Sequence, residues 1–171
     1  MVLTSVAATS GSVMDTDEFE RRLGQPLRQL RGVLIARHGI ELGLDLHAEV
    51  VAYAWENRDN LAAMANPGGY LYRVSQSRAR RYWRWRRVPD LPVERAEHGT
   101  TSAGEVRLGD ALARLSADER TVAVVVHAYG YTYDEAAELL GTSAAAVRNR
   151  LHRGMTKLRR LLQEEPSDVD G

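Results

Sequence analysis

Between Glu138 and Gly154 the chain reads ELLGTSAAAVRNRLHRG, a pattern that leaves the backbone little choice. Gly141 follows Leu140 where a helix needs a left-handed C-cap, and Ser143, two residues on, can cap a new helix. The spacing predicts two helices joined by a tight turn. Ala136 and Ala137 are small enough for a close crossing, and Leu140 and Val147 can close the shared core. At about 100° per residue, Val147, Leu151, Gly154, Met155, Leu158, Leu161 and Leu162 fall in one arc of about 120°. Arg148, Asn149, His152, Arg153, Thr156, Arg159 and Arg160 take the opposite face.

A helix that reads duplex DNA needs this division. An apolar seam anchors it, while its N-terminal half offers forked or amide donors to base edges in the major groove. Arg148 and Arg153 suit guanine edges or phosphates, and Asn149 suits adenine; His152 lies beside them near the start of the face. Lys157, Arg159 and Arg160, later in the helix, suit phosphate, as do the hydroxyls of Ser143 and Thr156. The competing reading is an amphipathic helix whose arginines do no more than keep it solvated.

Upstream, Leu108, Ala111, Leu112 and Leu115 repeat on one helical face. Ser116-x-x-Glu119 and Thr132-x-x-Glu135 both have the form of a capping box, so each opens a helix. TVAVVVHAY, Thr121 to Tyr129, is β-branched enough for a strand, but its capping box and helical neighbours favour a buried helix. Nearer the N-terminus, Leu23, Leu27, Leu30 and Leu34 mark a helix between Phe19 and Gly39, and Pro26 places its start near that residue. Leu46, Val50, Tyr53 and Ala54 mark a second helix ending near Asn57; Asn66-Pro67 starts a third, which buries Leu71 and Val74.

The segment VPDLPVERAEHGTTSAGE breaks every apolar period and reads as a linker. The expected architecture is therefore all-α: two small helical domains joined by a flexible linker, the C-terminal one a four-helix unit with a helix-turn-helix. The boundaries are a disordered tail at 1–17, a helical domain at 18–87, the linker at 88–105, the second domain at 106–163 and an acidic tail at 164–171.

Net charge is zero, which by itself argues against a nucleic-acid partner. Its distribution argues the other way. Gly68 to Val88 holds seven arginines and no acid, and Arg148 to Arg160 holds six basic residues and no acid. Within the first run, RARRYWRWRR interleaves Tyr82, Trp83 and Trp85 with arginines that include Arg78 and Arg81. Rings on which bases stack, among charges that follow a backbone, suit a single strand. A helix with core aromatics and solvated arginines is the plain alternative, and an anionic membrane surface a third.

There are no cysteines, which excludes disulfides and thiolate metal sites and fits a cytoplasmic location. The N-terminal residues lack a positive n-region, and no run approaches the ~18 apolar residues of a membrane span. His38, His47, His98, His127 and His152 are scattered, so neither a metal nor a nucleophile-base pair is expected. NPGGY lacks the lysine-serine ending of a phosphate loop. No enzyme, cofactor, metal or small-molecule substrate is expected.

HAYGYTYDEAAELLGTSAAAVRNRLHRGMTKLRRLL, His127 to Leu162, resembles region four of bacterial sigma factors of the extracytoplasmic-function class, and LARLSADERTVAVVV fits the first part of that region. LDLHAEVVAYAW and NPGGYLYRVSQSRARRYWRWRR resemble region two, so the likeness spans most of Phe19 to Leu162. It implies a transcription initiation factor whose partners are promoter DNA and core RNA polymerase, with an anti-sigma protein as a further candidate. Region four would bind the upstream, minus-thirty-five element as duplex through Arg148, Asn149, His152 and Arg153. Region two would dock on the polymerase clamp, where Asp45, Glu49 and Trp55 lie on the matching helix, and would capture the melted minus-ten strand.

Region two also departs from the family pattern. Ala48 stands where glutamine is usual before the acid, and Ser77 replaces a common asparagine; both changes remove hydrogen-bonding groups. The loop from Glu56 to Asn66 is short and carries few aromatics. Two alternatives therefore stay open: a sigma-like regulator that binds duplex without opening promoters, and a helical module whose basic faces bind an acidic protein.

Overall fold

A computed structural model describes residues 15–85 and 103–163, and among these every regular element is helical. Helix α1 spans Thr16–His38, α2 Ile40–Glu56, α3 Arg58–Ala62 and α4 Pro67–Trp85. Helices α5 (Ala103–Ala113), α6 (Ala117–Ala123), α7 (Tyr133–Leu140) and α8 (Ala144–Gln163) follow, with a π turn at Val124–Ala128 extending α6. The all-α expectation holds.

Helix α1 corrects the expectation at Pro26, which lies inside the helix rather than near its start. The start is set by Asp15, whose side chain accepts from the Glu18 amide at 2.8 Å. A proline inside a helix costs roughly 3 kcal/mol. Phe19 and Leu23, both buried ahead of it, each gain about 1.5–3 kcal/mol by burial, so the helix continues through the proline. The expected tail at 1–17 is shortened at its end, because α1 starts at Thr16; residues 1–14 lie outside those described.

Helix α2 returns along α1 and buries Leu46, Val50 and Ala54 on the predicted face. The expected start of α4 is present: Asn66 Oδ1 accepts from the Gly69 amide at 2.7 Å. Leu71 is fully buried there and Val74 half-buried. The short loop after α2 contains a helix not foreseen, α3, seated by buried Leu61.

In the second unit both capping boxes form. The Glu119 amide donates to Ser116 Oγ at 3.3 Å, and the Ser116 amide to Glu119 at 3.1 Å. Thr132 and Glu135 make the same exchange at 3.3 and 2.8 Å. The β-branched run is helical, with Val122 and Val125 buried, and widens into the π turn. On α5, Ala111 is buried as predicted and so is Leu115 just beyond it, but Leu108 is 42% exposed. That leucine corrects the four-residue face: the covered seam is narrower than the periodicity implied. Helix α5 begins at Ala103, inside the segment read as linker; 86–102 and 164–171 lie outside the described residues.

The two units share one apolar core, running from Phe19 and Leu23 through Leu71 and Tyr72 to Val122, Val147 and Leu151. Helix α1 meets α6 and the π turn, and α4 meets α7. Polar contacts rim this seam. Arg37 binds Asp118 at 2.6 Å, the Tyr131 hydroxyl donates to Gln29 at 2.7 Å and Asn66 to Glu138 at 2.8 Å, while Arg120 donates to the Ala36 carbonyl. Gly32 is where the Tyr129 hydroxyl enters; a Cβ there would lie 1.8 Å from it.

Candidate nucleic-acid interface

The turn between α7 and α8 forms as its residues require. Gly141 sits at φ 64°, ψ 42°, a left-handed conformation that costs a side-chain-bearing residue energy. The Thr142 amide donates back to the Ala137 carbonyl at 3.0 Å, occupying an orphan acceptor of α7. Ser143 Oγ then accepts from the Ala146 amide at 3.2 Å and starts α8. Ala136 and Ala137 are buried at the crossing.

Val147, Leu151, Gly154 and Leu158 are buried, and Met155, Leu161 and Leu162 half-buried, so the predicted seam faces α5, α6 and α7. Gly154 allows that approach: a Cβ on it would stand 3.2 Å from Glu119 Cβ. Arg148, Asn149, His152, Arg153, Thr156, Arg159 and Arg160 are exposed on the other side.

The arginines of α8 differ in their partners. Arg150 is half-buried, donates to Thr142 Oγ1 at 3.3 Å and lies 3.6 Å from Asp118, so it belongs to the seam between the units. The Asp118 hydrogen bond with Arg37 holds its carboxyl below the usual range, against a smaller opposing effect of burial. Arg153 stands 4.0 Å from Glu119 and stays largely exposed. The Arg148 guanidinium lies 5.6 Å from the ring centre of Tyr133, at the start of α7. Periodicity missed Tyr133, because only the fold of the turn brings it beside α8.

Thr156 and Lys157, both assigned to phosphate, donate within the chain. Thr156 donates its hydroxyl proton to the His152 carbonyl at 2.9 Å. Lys157 is half-buried and donates to the Arg114 carbonyl at 2.5 Å, tying α8 to the end of α5. Ser143 spends an acceptor lone pair on its cap and keeps its hydroxyl proton.

The second basic face is built differently. Arg78 binds Glu49 at 2.8 Å and lies 5.5 Å from the Tyr53 ring centre, while Arg81 stands 3.9 Å from the same carboxylate. Asp45 and Glu49 on α2 face Arg78, Arg81 and Tyr82 on α4 across a cleft of about 600 Å³ that Ala48 also lines. Trp83 is 44% exposed and meets Tyr82 edge-on at 6.0 Å. The side chains of Trp85, Arg86 and Arg87 lie outside the described residues. Trp55 is not part of the cleft; 40% exposed, it packs edge-on to Phe19 at 5.0 Å and under Arg58 at 4.8 Å. Among the described residues no cluster of His, Cys, Asp and Glu could hold a metal, and no helix is long and apolar enough to cross a membrane.

The family profile described as Sigma-70, region 4 matches residues 105–158, the span that contains the helix-turn-helix. An RNA polymerase sigma-E factor of Streptomyces antibioticus is 30% identical over 131 residues, covering 73% of each chain. A sigma-E factor of Streptomyces avermitilis is 28% identical over 166 residues, covering 93% of this chain and 91% of the relative. The fold is also that of the sigma factor RpoE from Bartonella quintana, solved in complex with the anti-sigma factor NepR: TM-score 0.64 and 22% identity over 88% of this chain and 99% of that one. With the helix-turn-helix in place, its arginine face open and relatives matched along most of their length, this chain belongs to the RNA polymerase sigma factors of the extracytoplasmic-function class and serves in transcription initiation.

Proposed function

We propose that α7 and α8 read the upstream promoter element as duplex, with Arg148, Asn149, His152 and Arg153 at base edges and Ser143, Arg159 and Arg160 at phosphates. The supporting observation is the exposed face of α8 that carries Arg148, Arg153, Arg159 and Arg160, opposite a seam in which Val147, Leu151 and Leu158 are buried. Arg159 fits phosphate better than Thr156, whose hydroxyl proton is already engaged, and than Lys157, which is half-buried and spends one donor on the Arg114 carbonyl. The units at 18–87 and 106–163 divide the work. The first offers Asp45, Glu49 and Trp55 to core polymerase and Arg78, Arg81, Tyr82, Trp83 and Trp85 to the melted strand. The protein works in the cytoplasm with the polymerase, has no catalytic chemistry of its own, and is a candidate target for an anti-sigma protein.

The test is a panel of duplexes bound by the full chain assembled with core polymerase. Arg148→Ala is expected to relax preference at one position, by about 1–3 kcal/mol of discrimination. Arg159→Ala is expected to weaken every duplex alike and lower the salt slope by about one. Equal losses on every sequence for both variants would sink the assignment.

A second reading is favoured by the Glu49 contacts and by Ala48 and Ser77: a factor that reads duplex but opens promoters poorly, because Arg78 and Arg81 already share an acid. Run-off transcription from linear and from pre-melted templates separates the two. Equal output from both templates excludes this second reading.

A further inference from the structure

We propose that Tyr133 is a positioning residue for base reading, its ring holding the Arg148 guanidinium ready for the groove; this rests on the reading that Arg148 addresses a base. Arg150 and Arg153 have carboxylates within reach, at 3.6 and 4.0 Å. Arg148, among the described residues, has an aromatic ring instead, 5.6 Å from the guanidinium carbon to the ring centre.

The kind of partner matters. A carboxylate takes up the in-plane N–H donors that a guanine edge needs, and has to be displaced before the base is read. A ring attracts the cation through its π face and leaves those donors unspent. The side chain is thus restrained without being occupied, so less of its rotamer freedom is lost on binding.

The placement of Tyr133 supports this role. It is the first residue of α7, directly after the cap, and the reciprocal Thr132–Glu135 bonds at 2.8 and 3.3 Å fix the turn that carries it. Although large and aromatic it is 38% exposed, on the side where Arg148 is also exposed, rather than in the shared core. In helix-turn-helix docking the first helix crosses the DNA backbone while the second enters the groove, so a residue at the start of α7 lies beside the same stretch of duplex. A phenol hydroxyl there can also donate to phosphate, a contribution separable from that of the ring.

The experiment uses the full chain assembled with core polymerase, its selected duplex, and every single-base-pair substitution of that duplex. Tyr133→Ala, Tyr133→Phe, Arg148→Ala and the double alanine variant are compared, with thermal melting as the check on folding. Tyr133→Ala is expected to reduce discrimination at the base pair governed by Arg148 by about two- to five-fold, the effect of an exposed cation–π contact. Tyr133→Phe keeps the ring and is expected to keep that discrimination, losing only sequence-independent affinity. In the Arg148→Ala background, Tyr133→Ala is expected to change discrimination no further.

A uniform loss on all duplexes for Tyr133→Ala, a phenylalanine variant as impaired in discrimination as alanine, or an undiminished Tyr133 effect without Arg148 would each overturn the proposal. If Arg148→Ala alone leaves base preference untouched, the base-reading assignment falls and the proposal with it. If Arg148→Ala relaxes preference while Tyr133→Ala is silent, only the proposal falls.

Discussion

Helices α4 and α8 are both arginine-rich and both open on a capping polar residue, yet the tightest acid contact on α4, Arg78 with Glu49 at 2.8 Å, is closer than those of Arg150 and Arg153 on α8, which stand 3.6 and 4.0 Å from acids. On α4, Arg78 and Arg81 turn toward Glu49 of α2, across a cleft where acids and bases face each other. On α8, the seam of Val147, Leu151 and Leu158 takes up the packing and Arg150 turns toward Asp118, while Arg148, Arg153, Arg159 and Arg160 are exposed, Arg153 with Glu119 4.0 Å away. Equal charge density along a chain therefore does not mean equal availability: an arginine is free for a phosphate only when no acid of the same fold has reached it first.

The sharpest way to break the contrast is to remove the seam. Leu151→Ala, at a residue only 6% exposed, is expected to destabilise the fold by about 2–5 kcal/mol, read by denaturant unfolding. If duplex binding survived unchanged under conditions where that variant is unfolded, α8 would not owe its orientation to its apolar side. Next in size is Gly141→Ala, expected to cost about 1–2 kcal/mol because a Cβ is poorly tolerated at φ 64°. Its loss of duplex affinity should exceed any loss in single-strand binding, which is proposed for the other basic helix.

A smaller effect concerns the seam between the two units. Burial, with Arg37 adding to it, lowers the His38 pKa from near 6.5 to about 4. Between those values the unfolded chain binds a proton that the folded chain refuses, so stability is expected to fall as pH drops from about 6.5 to about 4. Asp118, with its pKa depressed, adds stability above the ordinary carboxylate value of about 3.9 that is lost only at still lower pH. His38→Asn should flatten the upper window and leave the lower one, as followed by melting temperature across pH.

The mildest test returns to α4. Glu49→Gln should raise single-stranded DNA affinity by up to about five-fold and steepen its salt dependence, since partly exposed ion pairs are worth roughly 0.2–1 kcal/mol. Unchanged affinity would mean that the acid does not compete with DNA, and the contrast with α8 would narrow.

What can be read in advance follows a physical line. Both capping boxes, the Asn66-Pro67 start and the Gly141 turn depend on bonds that close within three to five residues, and local sequence contains all their parties. Pro26 departs from expectation because the local preference of proline for a helix start is outweighed by the burial of Phe19 and Leu23, which depends on packing. Leu108 departs from it for a related reason: a periodic face says which residues can be covered, not how far the covering helix extends.

The candidate site divides in the same way. The outward residues of α8 are legible because amphipathic spacing sorts a single helix into two sides. Tyr133 is not, because it lies on a different helix from Arg148 and only the turn makes them neighbours. Nor is the paired state of Arg78, whose partner Glu49 is 29 residues away.

From its residue order alone, then, this protein had most of its helices, the caps of α4, α6, α7 and α8 and the polarity of its last helix determined, since each follows from interactions a few residues long. Tertiary structure alone decided which arginines remain available, where Tyr133 stands and how the two units close on one core. Arg37 and Asp118, 81 positions apart, meet because burying apolar surface drives the packing, and polar partners are settled by whatever that packing brings within reach.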